Sequence, residues 1–450
     1  MSKLFWSEEH LKSLTGTAII TDKSSVSYSD LNDMVRSYQG VLENLNLKGN
    51  LAFLPMQSNI ESVIKYLACL RASVVPLLLA SDLSESLKCN LYDLYTPAIS
   101  FGSKGLNDIE VNETSRLKDR LPRDLALLLS TSGSTGSPKL VRLSANNLST
   151  NAVAISEFLE IGPDEKAFCT LPLSYSYGLS VLNSHLSSGA SVYLSDQTPF
   201  NEGYFDTLVG EKISSISGVP FFYQMLFRTG FLDKDLPSLK VMTQAGGKLG
   251  DKYVQKFSQY AASEGKKFFV MYGQTEATAR ISYVPPNTLD DKIGSIGIPI
   301  PGGTLSICDH ELVYEGPNVM LGYAQVKQDL FMGDIQRQVL RTGDLGTVDG
   351  DGFYYITGRI KRFVKLAGSR FGLDELEAGL EDRFSSSFLV AGKDEKLIIA
   401  STLPGIEEYG IYEFLQNQFS INRTFVKVVS VDNLPMTANG KKDYSVFRGS

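Results

Sequence analysis

The spacing of apolar residues near the start of the chain predicts helices that alternate with strands. Apolar side chains recur at helical spacing between 31 and 41, and Ser27 ahead of them is a typical helix-capping residue. Residues 50–54 then change to a pattern typical of a strand, and a second helix and strand are predicted for 60–70 and 73–79. Because strands alternate with helices, we expect parallel strands that are buried on both faces.

The alternation continues through the middle of the chain. A nearly all-apolar strand at 125–130 leads into a loop rich in Ser, Gly and Thr, and a helix follows at 146–159. Four further apolar segments each run toward a glycine or a proline, which is typical of strand ends that open into site-forming loops. These segments are 192–194, 213–219, 241–243 and 268–271.

From Gly294 onward the pattern changes to short strands separated by turns, as in GIPIPGG and VDGDGFYYI. This texture predicts an antiparallel unit. A domain boundary is predicted near Thr357 and Gly358, which leaves the last 93 of the 450 residues for a small α+β domain. The sequence therefore predicts an α/β protein with two domains, 1–357 and 358–450.

The composition is that of a globular protein and excludes several classes of function. The chain has 43% hydrophobic and 21% charged residues, and 43 Lys and Arg against 50 Asp and Glu give a net charge of −7. This balance offers no chain-wide positive field, so nucleic acid is not expected as a partner. Isolated cysteines exclude a CxxC-type zinc or redox motif and predict reduced thiols. The chain contains Cys69, Cys89, Cys169 and Cys308.

The start of the chain and its apolar runs bear on where the protein resides. The first residues contain no apolar signal segment, and the longest apolar runs fall short of the ~20 residues that a membrane span needs. We therefore expect a cytoplasmic protein with no membrane insertion.

One loop is rich in groups that can bind phosphate. Of the nine residues 130–138, all but the proline are Ser, Thr or Gly, and Lys139 follows directly. Such a loop can turn backbone amides and hydroxyls toward phosphate oxygens, and the lysine adds a positive charge. The spacing of a Walker A loop is absent. Taken alone, the loop also fits an ordinary Ser/Gly surface loop.

Five motifs follow one another along the chain. They are LLLSTSGSTGSPK ending at Lys139, YGQTE at 272–276, RTGD at 341–344, GRIK at 358–361 followed by ELE at 375–377, and PMTANGK ending at Lys441. In this order they resemble the signatures of the adenylate-forming (ANL) superfamily, which includes acyl-CoA synthetases, luciferases and the adenylation domains of peptide synthetases. The N-terminal SYSDL and the CLRASVVPLLL stretch also resemble this family, so the resemblance covers nearly the whole chain.

The resemblance implies the fold. It implies an α/β protein whose large N-terminal domain, 1–357, combines packed mixed β-sheets and helices with a β-barrel-like subdomain and binds ATP and the acid. A small mobile α+β domain, 358–450, then carries the catalytic lysine.

The resemblance also implies the nucleotide site. Glu276 would hold the Mg²⁺ that bridges the ATP phosphates, Thr275 would contact the α-phosphate, and Tyr272 would stack on adenine. The other implied cofactor-binding positions are Thr131, Ser132, Gly133, Ser134, Thr135, Gly136, Lys139, Gly246, Asp344, Ile356 and Arg359.

Some of these residues have a chemical rationale of their own. Glu276 beside the hydroxyl of Thr275 offers the hard oxygen ligands that Mg²⁺ prefers. Asp344 follows a glycine in a tight turn, where a carboxylate can accept both hydroxyls of a ribose, although a turn-forming aspartate is the alternative interpretation. The stretch 359–370 holds five basic residues and no acid, which fits either a polyphosphate site or a solvated face.

A lysine near the end of the chain is the expected catalytic residue. The resemblance assigns Lys441 to neutralise the charge that develops when a carboxylate oxygen attacks the α-phosphorus. Lys442 is the alternative, and the Asn439 and Gly440 step favours the first lysine. The family's small domain rotates between two half-reactions about a hinge residue, which corresponds to Lys361.

The resemblance also places the acid pocket. LPLSYSYG resembles the family's PLFHxxG segment, with Tyr175 where histidine is frequent, and one of Phe221 and Phe222 is expected in the core. The run 175–185 contains no acid to pair with a substrate ammonium, which favours a plain carboxylic acid. The segment 371–377 lacks the proline common in the family. The implied pocket positions are Tyr175, Ser176, Val219, Phe222, Gln244, Ala245 and Gly273.

The expected function is that of a stand-alone ligase. It would use ATP and Mg²⁺ to convert an acyl or aryl acid into an acyl-adenylate, and would pass the acyl group to a phosphopantetheine thiol on CoA or on an acyl or peptidyl carrier protein. An amino-acid-adenylating enzyme that loads a separate carrier protein and a non-catalytic nucleotide-binding homologue are the alternatives. A hydrolase is disfavoured, because the chain has 3 histidines and no G-x-S-x-G elbow.

Overall fold

A computed structural model gives the fold of this chain. It describes residues 4–102, 105–115, 120–130, 139–360, 362–366, 369–393, 395–403, 408–437 and 440–447.

The chain divides into two compact units. Unit 1 comprises residues 1–304 and 314–340, and unit 2 comprises residues 305–313 and 341–450. By their contacts residues 341–357 therefore belong with the C-terminal part of the chain. The functional boundary at 357/358 stays a prediction.

Helices and strands alternate along the described residues of unit 1. The α-helices of the chain are α1 (Glu8–Lys12), α2 (Tyr28–Asn44), α3 (Ile60–Ala72), α4 (Glu85–Tyr95), α5 (Ala145–Leu159), α6 (Ser176–Ser188), α7 (Tyr204–Gly210), α8 (Pro220–Arg228), α9 (Asp251–Ser263), α10 (Leu373–Phe384) and α11 (Glu408–Phe419). Short 3-10 helices cover Glu113–Ser115, Phe231–Asp233, Thr275–Ala277, Pro286–Thr288, Lys327–Phe331, Arg423–Phe425 and Tyr444–Phe447.

The strands are β1 (Thr17–Ile20), β2 (Ser25–Ser27), β3 (Leu51–Met56), β4 (Val75–Ala80), β5 (Ile99–Phe101), β6 (Ile109–Val111), β7 (Leu125–Ser130), β8 (Leu140–Ser144), β9 (Lys166–Cys169), β10 (Ser191–Leu194), β11 (Ser215–Gly218), β12 (Val241–Gln244), β13 (Lys267–Tyr272), β14 (Ser282–Val284), β15 (Ile298–Pro299), β16 (Thr304–Cys308), β17 (Glu311–Glu315), β18 (Gly322–Ala324), β19 (Val339–Val348), β20 (Tyr354–Arg359), β21 (Phe363–Leu366), β22 (Ser369–Gly372), β23 (Phe388–Lys393), β24 (Lys396–Ser401) and β25 (Val426–Ser430).

The predicted local elements are confirmed in unit 1. Ser27 caps α2 by accepting the backbone N–H of Asp30, and the buried face of this helix includes Leu31 and Val35. The predicted strand at 50–54 is β3, which runs parallel to β4. Helix α2 packs on α3, and α5 packs on α6.

Two mixed sheets organise the described part of unit 1. The larger has the order β15-β14-β13-β12-β11-β9-β10-β1-β2, and its strands from β13 to β1 all run parallel. The second has the order β18-β8-β7-β4-β3-β5-β6, with parallel pairing from β7 to β5. Antiparallel strands close the edges of both sheets. The carboxyl ends of parallel strands share one edge, which is where such sheets bind ligands.

Unit 2 is an α+β unit, as the sequence predicts for the C-terminal residues. The described strands give a sheet with the order β16-β17-β19-β20, a β21-β22 hairpin, and a sheet with the order β23-β24-β25. Helices α10 and α11 bury Leu376, Leu380 and Leu415 in a core with Phe388 and Ile399 from the last sheet.

Candidate active site

The predicted acid and nucleotide residues of unit 1 follow four neighbouring parallel strands. Tyr175 comes after β9, Val219 after β11, Gln244 ends β12 and Tyr272 ends β13. These strands lie side by side in the larger sheet. Because they are parallel, their carboxyl ends meet at one edge, which is where the sequence analysis expects the site-forming loops.

A cluster of hydroxyl and carboxylate groups lies at this edge. Ser176 Oγ and Thr275 Oγ1 are 3.2 Å apart, so the start of α6 meets the turn after β13. The neighbouring Glu276 accepts a hydrogen bond from the hydroxyl of Tyr323 at 2.8 Å. The Lys139 ammonium lies 4.6 Å from the centre of the same Tyr323 ring. Lys139, which follows the Ser/Gly-rich loop, and Glu276, the metal-binding candidate, therefore both contact Tyr323.

The donor set around Glu276 suits Mg²⁺ better than a transition metal. Among the described residues no group of three or more His, Cys, Asp or Glu side chains could hold a metal ion. Mg²⁺ is commonly bound by one or two carboxylates together with substrate phosphates and water, and therefore does not need an all-protein cage. A single carboxylate beside hydroxyl groups fits that pattern.

The turn after β13 is unusually tight. At Gly273 a Cβ atom would lie 1.7 Å from the carbonyl oxygen of Ala279, so only glycine fits there. Thr278 and Ala279 both have positive φ, at 61° and 142°. The amide of Asn318 ties the turn together by donating to the carbonyl oxygens of Ala277 and Arg280 at 2.8 and 2.9 Å. The turn fixed in this way holds Thr275 and Glu276 at the edge of the larger sheet.

The adjoining candidates form a compact wall. Tyr272 is mostly buried, and its hydroxyl accepts a hydrogen bond from Gln274 Nε2 at 3.0 Å. The Gln244 amide donates to the carbonyl oxygen of Gly247 at 2.9 Å, and Gly246 between them has φ +86°. Ala245 N–H donates to the carbonyl oxygen of Gly218 at 3.2 Å, which joins the ends of β11 and β12.

The two phenylalanines after β11 have different surroundings. Phe222 is buried and its ring packs against the backbone of Gly218, where a Cβ would lie 2.1 Å from it. Phe221 is 36% exposed. The expectation that one of the two lies in the core is confirmed. Val219, at the N-cap of α8, is also buried.

In unit 2 the predicted ribose-binding residues pair with each other. Asp344 and Arg359 lie opposite each other on β19 and β20, and Arg359 Nε donates to Asp344 Oδ1 at 2.9 Å. The Asp344 side chain is buried, whereas Arg359 is mostly exposed. Ile356, on the same strand as Arg359, is 38% exposed. Arg359 can therefore reach solvent-borne phosphate or ribose oxygens.

Glu311 fixes the RTGD segment, 341–344, through an ion pair and a backbone hydrogen bond. Its Oε2 accepts from Arg341 Nε at 2.7 Å, and its Oε1 accepts from the backbone N–H of Gly343 at 2.8 Å. Thr342 Oγ1 donates to the carbonyl oxygen of Leu312. The sequence analysis missed Glu311, since nothing in its DHELVYEG context distinguishes it from a solvated acid.

The two adjacent lysines have different surroundings. Thr437 N–H donates to the carbonyl oxygen of Lys441, and Lys441 N–H donates to Thr437 Oγ1, so the backbone of Lys441 is tied to Thr437. The ammonium of Lys442 instead donates to Glu377 and Glu381 at 2.8 and 2.6 Å. Lys442 is therefore engaged in a structural ion pair, which favours Lys441 as the catalytic candidate.

Glu377 is the centre of a buried network in unit 2. Besides Lys442, it accepts hydrogen bonds from Tyr444 hydroxyl at 2.9 Å, Arg362 at 2.6 Å and Val390 N–H at 2.9 Å. Burial acts to raise the pKa of Glu377, but the charges of Lys442 and Arg362 and the hydrogen bonds outweigh it and hold the pKa below its ordinary value. The network joins the residues that follow positions 361 and 441.

Some predicted positions lie outside the described residues. These are the hinge candidate Lys361 and the phosphate-loop candidates Thr131, Ser132, Gly133, Ser134, Thr135 and Gly136.

Two further residues that the sequence analysis did not single out line the site of unit 1. Tyr323 lies far from the motifs in sequence, and its role depends on the pairing of β18 with β8. Arg280 follows Glu276 by four residues in the sequence TARISY, and its burial could not be read from that mixed polar and apolar context.

The fold and these side chains define a class of enzyme. The chain belongs to the AMP-binding enzyme family, whose model matches residues 92–324. In the described parts of the chain, no helix has the length and apolar character of a transmembrane helix.

Individual relatives sharpen this assignment. Indoleacetate–CoA ligase from Aromatoleum aromaticum is 28% identical over 362 residues, covering 72% of this chain and 68% of the relative. Feruloyl-CoA synthase from Amycolatopsis is 29% identical over 279 residues, covering 56% of this chain and 53% of the relative. The structure of o-succinylbenzoate–CoA synthetase from Bacillus subtilis with its acyl-adenylate intermediate has a TM-score of 0.79 at 21% identity, covering 98% of this chain and 97% of that one.

These similarities confirm the resemblance to the adenylate-forming superfamily and the α/β fold class. They also confirm the expected enzyme class, an AMP-forming ligase that joins an acid to a thiol.

Proposed function

We propose that this chain activates a small carboxylic acid with ATP and then transfers the acyl group to a thiol. In the first step an acid oxygen attacks the α-phosphorus, the bond from that phosphorus to the bridging oxygen breaks, and pyrophosphate leaves. In the second step a thiolate sulfur attacks the acyl carbon and AMP leaves. The observation that carries this proposal is the convergence of Lys139 and Glu276 on Tyr323, beside the paired hydroxyls of Ser176 and Thr275.

The residues of unit 1 would position the reactants. Glu276 would hold Mg²⁺, which lowers the negative charge on the phosphates when it is bound. Lys139 would add a second positive charge, while Thr275 would donate a hydrogen bond to an α-phosphate oxygen. Tyr272 would stack on adenine, and Gly246 leaves room for close approach of the backbone. In-line displacement at phosphorus depends chiefly on such positioning and charge neutralisation.

Residues of unit 2 have further expected roles in the reaction. Asp344, oriented by Arg359, would accept the ribose hydroxyls. Lys441 would neutralise the charge that builds up on the transferring oxygens. We assign residues 1–357 to ATP and acid binding and residues 358–450 to the lysine-bearing domain, with Lys361 as the hinge.

The acid is expected to be an acyl or aryl carboxylate. The names of the relatives refer to indoleacetate, ferulate and o-succinylbenzoate, all of which carry an aromatic ring next to a short acid chain. Among the described pocket residues, Ser176 and Gln244 are polar but uncharged, so none would pair with a substrate ammonium. CoA is the expected acceptor in the cytoplasm, and a carrier protein is the second acceptor to test.

ATP–pyrophosphate exchange on the purified chain tests the first half-reaction. A panel of fatty, aromatic, hydroxy and amino acids is assayed with Mg²⁺, and acid-dependent exchange is expected with plain carboxylic acids. CoA and carrier proteins are then offered to the enzyme with the best acid. Absence of exchange with every acid, despite measurable ATP binding, would favour a non-catalytic nucleotide-binding protein.

Lys441→Ala tests the assignment of the catalytic lysine. Exchange is expected to fall by about 10²-fold or more, because one preorganised charge at the transition state is lost, while ATP binding persists. Lys427→Ala removes the charge of an exposed lysine from β25 of the same unit and serves as the matched control. Loss of ATP binding in a folded Lys441→Ala protein would contradict the assignment.

A further inference from the structure

A cavity of about 260 Å³ lies beside the predicted acid site in unit 1. Helices α5 and α6 line one side, strands β11 and β12 line the other, and Arg280 reaches it from the turn between β13 and β14. This volume is large enough for part of a small organic ligand. The cavity therefore needs an explanation in terms of what it holds.

The lining is polar where a helix normally packs on a sheet through apolar side chains. Ser180 and Ser184 face the cavity from α6, and Ser217 and Thr243 face it from the sheet. Thr243 Oγ1 donates to Ser217 Oγ at 2.9 Å, and Ser180 Oγ donates to the carbonyl oxygen of Tyr177 at 2.7 Å. These hydroxyl groups can still accept or donate further bonds to a polar ligand.

Arg280 is the unusual member of this lining. It is only 3% exposed, its Nη1 donates to the carbonyl oxygen of Ala279 at 3.5 Å, and its Nε has no hydrogen-bond partner among the described residues. Its guanidinium lies 4.0 Å from the centre of the Tyr177 ring, and among the described residues it forms no ion pair. Burial lowers the pKa of this guanidinium, yet an arginine stays protonated in a protein. A buried positive charge without an anion costs free energy. An anion that binds beside Arg280 would therefore stabilise this site.

The other charges of the cavity lining neutralise one another. Lys240 pairs with Glu165 at 2.8 Å, and Lys267 pairs with Glu160 at 2.6 Å, at the amino ends of the strands. His185, also in the lining, is neutral near pH 7 because burial lowers its pKa to about 4. The charge of Arg280 is therefore the uncompensated charge of the lining.

Helix α6 connects the adenylation residues to the cavity. Ser176, Ser180 and Ser184 follow one another at intervals of four residues and lie on one face of the helix. Ser176 touches Thr275, and Ser184 lies two turns, about 12 Å, further along the helix. An acid that reacts beside Thr275 can therefore place its far end along this face and in the cavity.

We propose that the cavity binds a second anionic group of the acid substrate and that Arg280 is its counter-ion, so that the preferred substrate is a dicarboxylic acid. This inference rests on the proposed adenylation function and specifies its substrate class. Arg280 then determines specificity rather than catalysing the reaction. A guanidinium is suited to this role because its planar set of donors matches a carboxylate.

Matched pairs of acids test the proposal. Straight-chain diacids from malonate to sebacate are compared with their monomethyl esters in ATP–pyrophosphate exchange. The esters keep the length of the diacid and remove the second charge. The wild type is expected to prefer the best diacid over its ester by about tenfold or more in kcat/KM, as a charge-assisted hydrogen bond would give.

Arg280 variants assign that preference to one side chain. Arg280→Met is expected to lower kcat/KM for the diacid by about tenfold or more and to leave the ester within about threefold of the wild type. Arg280→Lys should keep part of the preference. Arg36→Met removes an exposed arginine, paired with Asp33 on α2, and is the matched control. Equal loss with diacid and ester would make Arg280 a structural residue and overturn the proposal.

Calorimetric binding of the same diacids, without ATP, separates this proposal from the proposed function. Binding to the wild type but not to Arg280→Met, in a protein with no exchange activity, would refute adenylation and support the anion site. Exchange with monocarboxylates and esters as good as with diacids would support adenylation and refute the role of Arg280. A wild type that neither binds nor activates any diacid would overturn the inference.

Discussion

Unit 1 buries two arginines in very different surroundings. Arg142, on β8, is fully buried and donates to the carbonyl oxygens of Leu321, Tyr323 and Gly333 at 3.1 to 3.3 Å, and also to that of Met332. Arg280 is equally buried, but its Nε lacks a partner and it borders a cavity. A buried charge surrounded by fixed acceptors is part of the fold, whereas one beside an empty volume points to a ligand.

The local structure supports this distinction. Gly322 lies opposite Arg142 in the β8-β18 pair, and a Cβ there would lie 2.9 Å from the Arg142 guanidinium. The strand that carries Tyr323 is therefore shaped around Arg142. Tyr177 packs against the Arg280 guanidinium, but its hydroxyl bonds Thr243 instead. Arg280 Nη1 donates a long hydrogen bond of 3.5 Å to the carbonyl oxygen of Ala279, and among the described residues Nε has no acceptor.

Arg142→Met is the substitution with the largest expected effect on stability. It leaves several buried carbonyl groups without donors and should lower the free energy of unfolding by about 3–5 kcal/mol. Urea unfolding followed by the fluorescence of Trp6, the single tryptophan, buried in unit 1, measures this. Arg280→Met should instead be neutral or stabilising by up to about 4 kcal/mol, since a buried charge is replaced by an apolar side chain. Equal destabilisation by both substitutions would remove the distinction.

Glu377 in unit 2 extends the comparison to a buried negative charge with a full set of donors. Glu377→Gln removes the charge that Lys442 and Arg362 share, and should destabilise unit 2 by about 2–4 kcal/mol. Hydrogen exchange of the Val390 amide, which donates to Glu377, reports the change directly. Glu381→Gln is the matched control, since this half-exposed carboxylate should contribute about 1 kcal/mol or less.

The exchange activity of Glu377→Gln adds a functional measurement. Because Glu377 anchors Lys442, the neighbour of Lys441, loss of this contact should slow pyrophosphate exchange while the KM for the acid stays the same. Faster amide exchange at Val390 with unchanged activity would show that the network stabilises unit 2 without positioning Lys441.

Local patterns predicted the elements of this fold better than their arrangement. The cap at Ser27 and the apolar runs at 241–243 and 268–271 depend on neighbouring residues, and α2, β12 and β13 follow them. The order of the strands in a sheet, in contrast, is not determined by residues that are adjacent in the sequence. Strand β1 pairs with β10 across more than 150 residues, and no periodicity encodes such a contact.

In the candidate site, too, the sequence could identify some residues, whereas others are revealed only by the fold. Thr275 and Glu276 lie in a short motif whose residues are adjacent in the chain, so the sequence could single them out. Arg280 looks like a solvated cation in the sequence TARISY, and only its packing against Tyr177 of α6 buries it. Glu377 belongs to a recognised motif, but its donors come from segments near 362, 390 and 442, which only the fold brings together.

His185 provides the smallest and most specific test of the cavity. Its Nδ1 lies 2.8 Å from the carbonyl oxygen of Val181, its Nε2 lies 3.4 Å from Ser215 Oγ, and the carboxylate of Glu165, paired with Lys240, faces it.

Burial lowers the pKa of His185 to about 4, against 6.5 for an unperturbed histidine, so the unfolded chain binds the extra proton between these values. Its contribution to stability is therefore complete above pH 6.5 and is lost as the pH falls toward 4, by about 2 kcal/mol at pH 5.

His185→Gln should flatten this part of the unfolding curve, measured by Trp6 fluorescence. A diacid that binds beside Arg280 should favour the protonated form of His185. It should therefore reduce the loss of stability at acid pH in the wild type. The same diacid should have no such effect in Arg280→Met. If wild type and His185→Gln lose the same stability between pH 6.5 and pH 4, other groups control stability in this pH range. If the diacid has the same effect in Arg280→Met, the anion binds away from the cavity.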